Sequence, residues 1–131
     1  MDDLATWMSE RALRRLWVAY TDYHGRLAGR DIPLARVPGV VERGTNFAKA
    51  NFNFSIRDEQ VSHPRFGADS GDVLAIPDSV SAVQLPFQAE SAFAFATLHL
   101  EDGSVWEGCP RAALQCAVSA LAEAGLAASV A

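Results

Sequence analysis

The stretch Leu16-Trp17-Val18-Ala19-Tyr20-Thr21-Asp22-Tyr23-His24-Gly25-Arg26-Leu27-Ala28-Gly29-Arg30-Asp31-Ile32-Pro33 decides the fold. Leu16, Val18 and Tyr20 alternate with Trp17, Ala19 and Thr21. A period of two with aromatic and β-branched residues on both parities predicts a strand with two covered faces. Asp22-Tyr23-His24-Gly25 has turn chemistry, because Asp bonds its own downstream backbone and Gly accepts positive φ. The chain returns from Arg26 to Ile32 and stops at Pro33, which cannot donate to a ladder. A β-hairpin is therefore the nucleus of the fold.

On the N-terminal side, Asp2 and Asp3 suit the cap of a short helix, with Leu4, Trp7, Met8 and Ala12 on one face. Arg11, Arg14 and Arg15 follow at its C-terminal end, where cations are favoured. This face packs on a sheet, or Trp7 and Met8 make a subunit contact. On the C-terminal side, Val37 to Gly44 predicts one short helix, with Pro38 in its first turn and Gly44 as its stop. Thr45 to Ser55 carries Phe47, Phe52 and Phe54 among asparagines, and the Phe52/Phe54 alternation allows a strand or an extended edge. Arg57 to Gly71 is polar, broken by Pro and Gly, and predicts a long exposed loop.

Asp72 to Ile76 and Ala82 to Leu85 read as strands. Phe93 to Leu100 reads as a central strand, because Phe93, Phe95, Thr97 and His99 alternate with Ala94, Ala96, Leu98 and Leu100 and both faces are mainly apolar. Glu101-Asp102-Gly103-Ser104 predicts a hairpin turn, with Val105 and Trp106 starting a return strand. Pro110 opens the last helix and Gly125 ends it, with Leu126 beyond. Leu114, Ala117, Val118 and Leu121 form an apolar stripe at i, i+3, i+4 and i+7, expected to join Leu98 in the core. The tail from Ala127 to Ala131 is small, apolar and expected to fray. Helices and strands in this order define an α+β fold, one mixed sheet covered by one main helix with a short N-terminal helix.

Composition narrows the function classes. The chain has 131 residues, half of them apolar, which suits one domain with its own core. A net charge of −5 argues against a nucleic-acid footprint, and no apolar run approaches a membrane span. Met1-Asp2-Asp3-Leu4 is acidic, unlike a signal peptide, so a cytoplasmic location is expected. Cys109 and Cys116 have no metal-ligand spacing and read as free thiols.

No phosphate loop, dinucleotide fingerprint, nucleophile elbow or zinc-protease motif occurs. His24, His63 and His99 are isolated; His99 reads as a satisfied structural histidine, His24 and His63 as solvated. Cys109 precedes a helix N-terminus, where a thiolate is stabilised, but no orienting base accompanies it, and a small buried residue is the expectation. Asp58, Glu59, Asp69, Asp72, Asp78, Glu101 and Asp102 sit in or beside turns and read as backbone-bonding turn residues rather than catalytic pairs.

The hairpin, Asp-x-x-Gly and Ile-Pro resemble the opening of the glutamine synthetase N-terminal domain, a β-grasp fold. The resemblance continues in order through Gly44-Thr45-Asn46-Phe47, then Gly71 to Asp78, then Leu85-Pro86-Phe87. It ends with Asp102-Gly103 and Pro110-Arg111-Ala112-Ala113-Leu114. It implies a single β-grasp domain over residues 1–131, with the family's large catalytic domain absent. It implies that ATP, glutamate and Mg or Mn bind in that other domain, so this domain binds no cofactor or metal and is inactive alone.

The resemblance also implies that a loop after Gly-x-x-Phe, typically Phe-Asp-Gly-Ser-Ser, closes a neighbouring subunit's site. Phe47-Ala48-Lys49-Ala50-Asn51 occupy that loop here. Ala48 stands at the ammonium-binding Asp and Asn51 at the last Ser, so the usual carboxylate is missing. Members acting on amines, such as the γ-glutamylpolyamine synthetase-like group, depart at the same place, and the long Pro64 to Asp78 segment is similar to theirs. Implied partners are a glutamine synthetase-type catalytic domain and further copies of the chain, with Trp7, Met8 and the Phe47 loop as contact candidates. A free-standing β-grasp assembly or binding module, or the non-catalytic half of a split ligase, is the alternative reading.

Overall fold

The computed structural model describes residues 3–67 and 69–129. The expected cap at Asp2 and the last two residues of the tail, Val130 and Ala131, lie outside the described residues. In chain order the elements are α1 (Leu4–Glu10), β1 (Arg15–Thr21), β2 (Leu27–Pro33), α2 (Val37–Arg43) and β3 (Thr45–Ala48). They continue with β4 (Asp72–Pro77), β5 (Val83–Gln84), β6 (Ser91–His99) and α3 (Pro110–Glu123). The α+β, β-grasp-like mixed sheet expected from the sequence is what forms. Its strand order is β2-β1-β6-β4-β3, with β5 paired to the early part of β6.

The hairpin forms as predicted. β1 and β2 run antiparallel with Leu16 opposite Ile32 and Tyr20 opposite Ala28. Asp22 closes the turn: its Oδ1 accepts from the backbone N–H of His24 and of Arg26, and Gly25 takes φ +77°. β6 is central, parallel to β1 and antiparallel to β4. Its inward parity is Ala92, Ala94, Ala96 and Leu98, all buried, whereas Phe93 and Phe95 point outward and are only half-buried. Small inward residues let two helices lie close against the sheet. Leu4 and Met8 of α1 and Val37 and Val40 of α2 fill the space over Leu16, Val18, Val73 and Ala75.

Several expectations change. Asp3 caps α1, its carboxylate accepting from Ala5 N–H at 2.9 Å, but the helix stops at Glu10 and Ala12 adopts φ +55° outside it. Met8 is 0% exposed, so it is core and unavailable as a subunit contact; Trp7 is half-buried against the same core. The Phe52/Phe54 segment is a 3-10 turn over Lys49–Asn53, which buries Phe52 and leaves Phe54 exposed beside an isolated bridge to Gln60. The return strand at Val105 shrinks to one bridge with His99. The Leu114/Ala117/Val118/Leu121 stripe is not core: α3 has no buried residue, and only its first turn approaches β1 and β6.

Two distant motifs explain each other. Arg111 in the first turn of α3 donates to Asp78, just past β4, at 2.6 Å, and its guanidinium lies 5.3 Å over the Phe95 ring. That ion pair fixes where α3 leaves the sheet. Cys109 occupies the N-cap position of α3 with no side-chain cap bond; its buried Sγ instead accepts from Leu98 N–H at 3.3 Å, whereas Cys116 is exposed, and both are free thiols. Among the described residues no helix is long and apolar enough to cross a membrane.

Candidate functional site

The candidate loop sits where the short edge strand β3 ends. Gly44 makes this possible twice over. At φ +75° it ends α2, and a Cβ there would meet Leu74 Cβ at 2.9 Å and the Ala75 carbonyl oxygen at 3.2 Å. Only glycine lets β3 turn in against β4. β3 then pairs Thr45 with Ala75 and Ala48 with Asp72. Period two sends Thr45 and Phe47 inward and Asn46 and Ala48 outward. Asn46 donates to the Asp72 carboxylate at 3.2 Å, and Lys49 N–H donates to the Gly71 carbonyl at 3.1 Å, fastening the loop to the start of β4.

Aromatic anchors hold both ends of the loop. Tyr20 packs edge-on to Phe47 at 4.8 Å between centroids and stacks on Phe52 at 5.2 Å. Phe52 continues the cluster to Tyr23 and Trp106, and Arg30 lies 5.1 Å over the Phe47 ring. Pairs of this kind contribute about 0.5–1.5 kcal/mol each beyond area burial. Behind the loop, the buried Asn53 exchanges hydrogen bonds with the backbone of Phe66, its amide donating to the Phe66 carbonyl and its oxygen accepting from Phe66 N–H. So Phe47 and Phe52 are buried, Lys49 and Ala50 half-buried, and Ala48 and Asn51 face outward.

The hairpin turn clamps the far side. His24 Nε2 lies 2.9 Å from the Phe54 carbonyl. A carbonyl only accepts, so this nitrogen carries the proton. Arg26 bridges two carboxylates, Asp22 at 2.9 Å and Asp58 at 2.7 Å. Between turn and loop lies a groove of about 310 Å³ walled by Tyr20, Asp22, Arg26, Asn51, Phe54 and Asp58. Burial pushes the Asp22 carboxyl up, but hydrogen bonds from Arg26 and from the His24 backbone outweigh it and hold the group below the usual carboxylate range. Burial raises the Tyr20 phenol above its ordinary value, the Asn51 side chain opposes this, and the Asp22 charge adds to it.

The structure brings Phe47, Ala48, Lys49, Ala50 and Asn51 together as one anchored surface turn. Tyr20, Asp22, Arg26 and Asp58 border it, although sequence reading gave Asp22 only a turn role and Asp58 only a loop. The hydrogen-bonding capacity of Asp22 was legible; its proximity to a segment some thirty positions later was not. Trp7 and Met8 lie elsewhere, on α1. His99 is a satisfied structural histidine, its Nδ1 3.0 Å from the Gly103 carbonyl, and His63 is exposed. Among the described residues, no group of three or more His, Cys, Asp or Glu side chains is placed to hold a metal ion.

A mixed sheet with two helices on one face and an anchored loop at its edge defines an α+β domain of the β-grasp kind. Comparison with known proteins places it further. Gamma-glutamylanilide synthase of an Acinetobacter species is 26% identical over 125 residues, 86% of this chain and 25% of that protein. Glutamine synthetase of Rhizobium meliloti (strain 1021) is 27% identical over 95% of this chain and 26% of that protein. Among solved structures, the GmaS/ADP complex in its conformation 1 superposes with a TM-score of 0.77 at 25% identity, over 95% of this chain and 26% of that one. A novel glutamine synthase homolog gives 0.75 at 28% identity, over 86% of this chain and 27% of that one. No family model matches. The relatives and solved structures together support an N-terminal glutamine synthetase-family domain. The chain spans about a quarter of the length of the curated relatives it matches.

Proposed function

We propose that this chain serves as the N-terminal part of a glutamine synthetase-type ligase, presenting Phe47-Ala48-Lys49-Ala50-Asn51 to the active site of a neighbouring subunit. The complete ligase joins an organic amine to the γ-carboxylate of glutamate. ATP transfers its terminal phosphoryl group to that carboxylate, and the amine nitrogen attacks the acyl phosphate, releasing phosphate and forming the amide. ATP and Mg or Mn belong to the catalytic domain that supplies this chemistry.

One observation carries the choice of amine over ammonia. Ala48 and Asn51 face outward on the anchored loop, and the sequence resemblance matches them to the Asp and the last Ser of the typical family loop. A carboxylate attracts ammonium by charge and can accept its proton; a methyl group does neither. An amine with an apolar body loses less from the missing charge. A relative named gamma-glutamylanilide synthase supports an aromatic or other organic amine.

The chain alone is expected to be silent. Incubated with ATP, magnesium, glutamate and an amine it should release no phosphate above blank. Adding a glutamine synthetase-type catalytic part should restore turnover. Tight, stoichiometric ATP binding by the isolated chain in calorimetry would refute the assignment of nucleotide chemistry to the partner.

A further inference from the structure

Resting on that reading, the geometry points to the groove between the hairpin turn and the Phe47 loop as the seat of the amine's carbon body. Phe54 and Leu27 are then specificity-determining residues. The substrate class is an arylamine, its nitrogen bonded directly to the ring.

The first argument is position. Asn51 belongs both to the loop and to the wall of the groove. Its side chain reaches the Tyr20 phenol. From there the hairpin register runs through the Tyr20–Ala28 and Thr21–Leu27 pairs to the turn, where Arg26 donates to Asp58 at 2.7 Å. A body attached to a nitrogen at Asn51 lies along two rungs of the hairpin, about 7 Å at the rise of a strand. It ends against the Arg26–Asp58 pair.

The second argument is the lining. Leu27 of the hairpin is 59% exposed and Phe54, from the segment facing it, 38%. Phe54 is fixed in place: its carbonyl accepts from His24, and its backbone forms a bridge with Gln60. The groove is thus formed before a ligand arrives, as small-molecule sites usually are. Its volume of about 310 Å³ stands at the low end for such sites and suits a single substituted ring. A hollow on the other side of the loop differs in kind, because Lys49, Ser70, Asp72, Glu101 and Asp102 surround Leu100 there. An apolar body in that hollow would strip water from charged groups without pairing them.

The third argument selects the amine. With a methyl group on Ala48 and a neutral amide on Asn51, these two outward-facing side chains offer no base to an incoming nitrogen. An alkylamine arrives protonated at neutral pH and must lose a proton before its lone pair can attack. An arylamine arrives neutral, because its lone pair is delocalised into the ring. Its N–H can donate to the Asn51 side-chain oxygen, and its ring lies between Leu27 and Phe54, where aromatic contact is favoured. Arg26 donates to both Asp22 and Asp58, so the end wall carries one net negative charge on its solvent side. That wall accepts a small polar group on the far side of the ring and stops an alkyl chain.

The test pairs this chain with a glutamine synthetase-type catalytic part and compares kcat/KM for aniline, 4-butylaniline, n-butylamine, 1,4-diaminobutane and ammonium. The variants are Phe54→Ala, Leu27→Asp and Asp58→Ala; all three positions are exposed, and melting curves check that each variant folds. In parallel, aniline is titrated into the isolated chain while the backbone amide NMR signals of Leu27, Asn51 and Phe54 are followed. Aniline should be the best of these amines for wild type. Its advantage over ammonium should fall at least about tenfold in Phe54→Ala and in Leu27→Asp, and 4-butylaniline should gain at least about tenfold on aniline in Asp58→Ala. Aniline should shift all three signals, and Phe54→Ala should abolish the shifts. Unchanged ratios in the first two variants, or signals that aniline leaves unmoved, overturn the groove while the ligase reading stands. n-Butylamine or 1,4-diaminobutane outrunning aniline overturns the arylamine class. No turnover with any amine, with the aniline shifts intact, overturns the ligase reading and not the groove.

Discussion

Leu98→Ala tests the core assignment most sharply. Leu98 is 0% exposed on the central strand, opposite Ala75 of β4. Its carbonyl accepts from Trp106 N–H at 2.8 Å, and its own N–H donates to Cys109 Sγ. The β4 ladder holds one side of Leu98 and the Trp106 and Cys109 hydrogen bonds hold the other, so the cavity left by truncation cannot collapse easily. Such sites cost about 2–5 kcal/mol, with the larger values where relaxation is poorest. At the usual entropy of unfolding per residue, a chain of this length loses about 3.6 °C in Tm per kcal/mol, giving a fall of roughly 7–18 °C. Leu121→Ala is the control. The stripe on α3 was expected to be core, but Leu121 is exposed in the described fold, so its truncation should move stability by no more than about 0.5 kcal/mol. Thermal melting by circular dichroism, with urea titration to confirm an unchanged m-value, measures both. A Leu98→Ala variant melting within a degree or two of wild type, or a Leu121→Ala variant falling as far as Leu98→Ala, would refute the burial argument.

Acid should weaken the hairpin turn in a defined direction. Asp22 is held below the usual carboxylate range in the fold, so its contribution is present above the unfolded carboxylate pKa and disappears as pH falls through the lowered folded value. Asp22→Asn keeps the oxygen acceptor but removes the charge, and should flatten the Tm-versus-pH curve on the acid side; an unchanged slope would contradict the linkage. The thiols should also separate: Cys116 should react at once with a thiol reagent in the native protein, and Cys109 only on unfolding. Two fast thiols would place Cys109 at the surface.

What was legible in the sequence was local chemistry. The hairpin followed from a period of two and an Asx turn, and the order Gly44, Asp78, Arg111 marked positions that the structure links through a close approach and an ion pair. Periodicity failed where it states that a face is apolar without stating what covers it. The α3 stripe has helical spacing but no partner among the described residues, and β6 is apolar on both parities, so nothing local said that alanines would face inward. In the sequence a Trp-Met pair on a terminal helix has no evident neighbour and reads as a contact, yet α2 packs against α1 and takes Met8 into the core. The loop Phe47 to Asn51 was legible through its motif, while the surrounding Tyr20, Asp22 and Asp58 came to it only through the fold. Phe52 and Phe54 alternate like a strand, but burial of Phe52 in the aromatic cluster turns that segment into a 3-10 turn.

The central claim is that the Ala48 loop serves an amine-using ligase. The direct measurement joins this chain to a glutamine synthetase-type catalytic part and follows ADP release, with ammonium against a panel of mono- and polyamines that includes aniline. The account predicts faster turnover with an organic amine than with ammonium, and a shift toward ammonium in the Ala48→Asp variant. Ammonium turning over fastest in the unmodified pair, or an Ala48→Asp variant with unchanged preference, would contradict it.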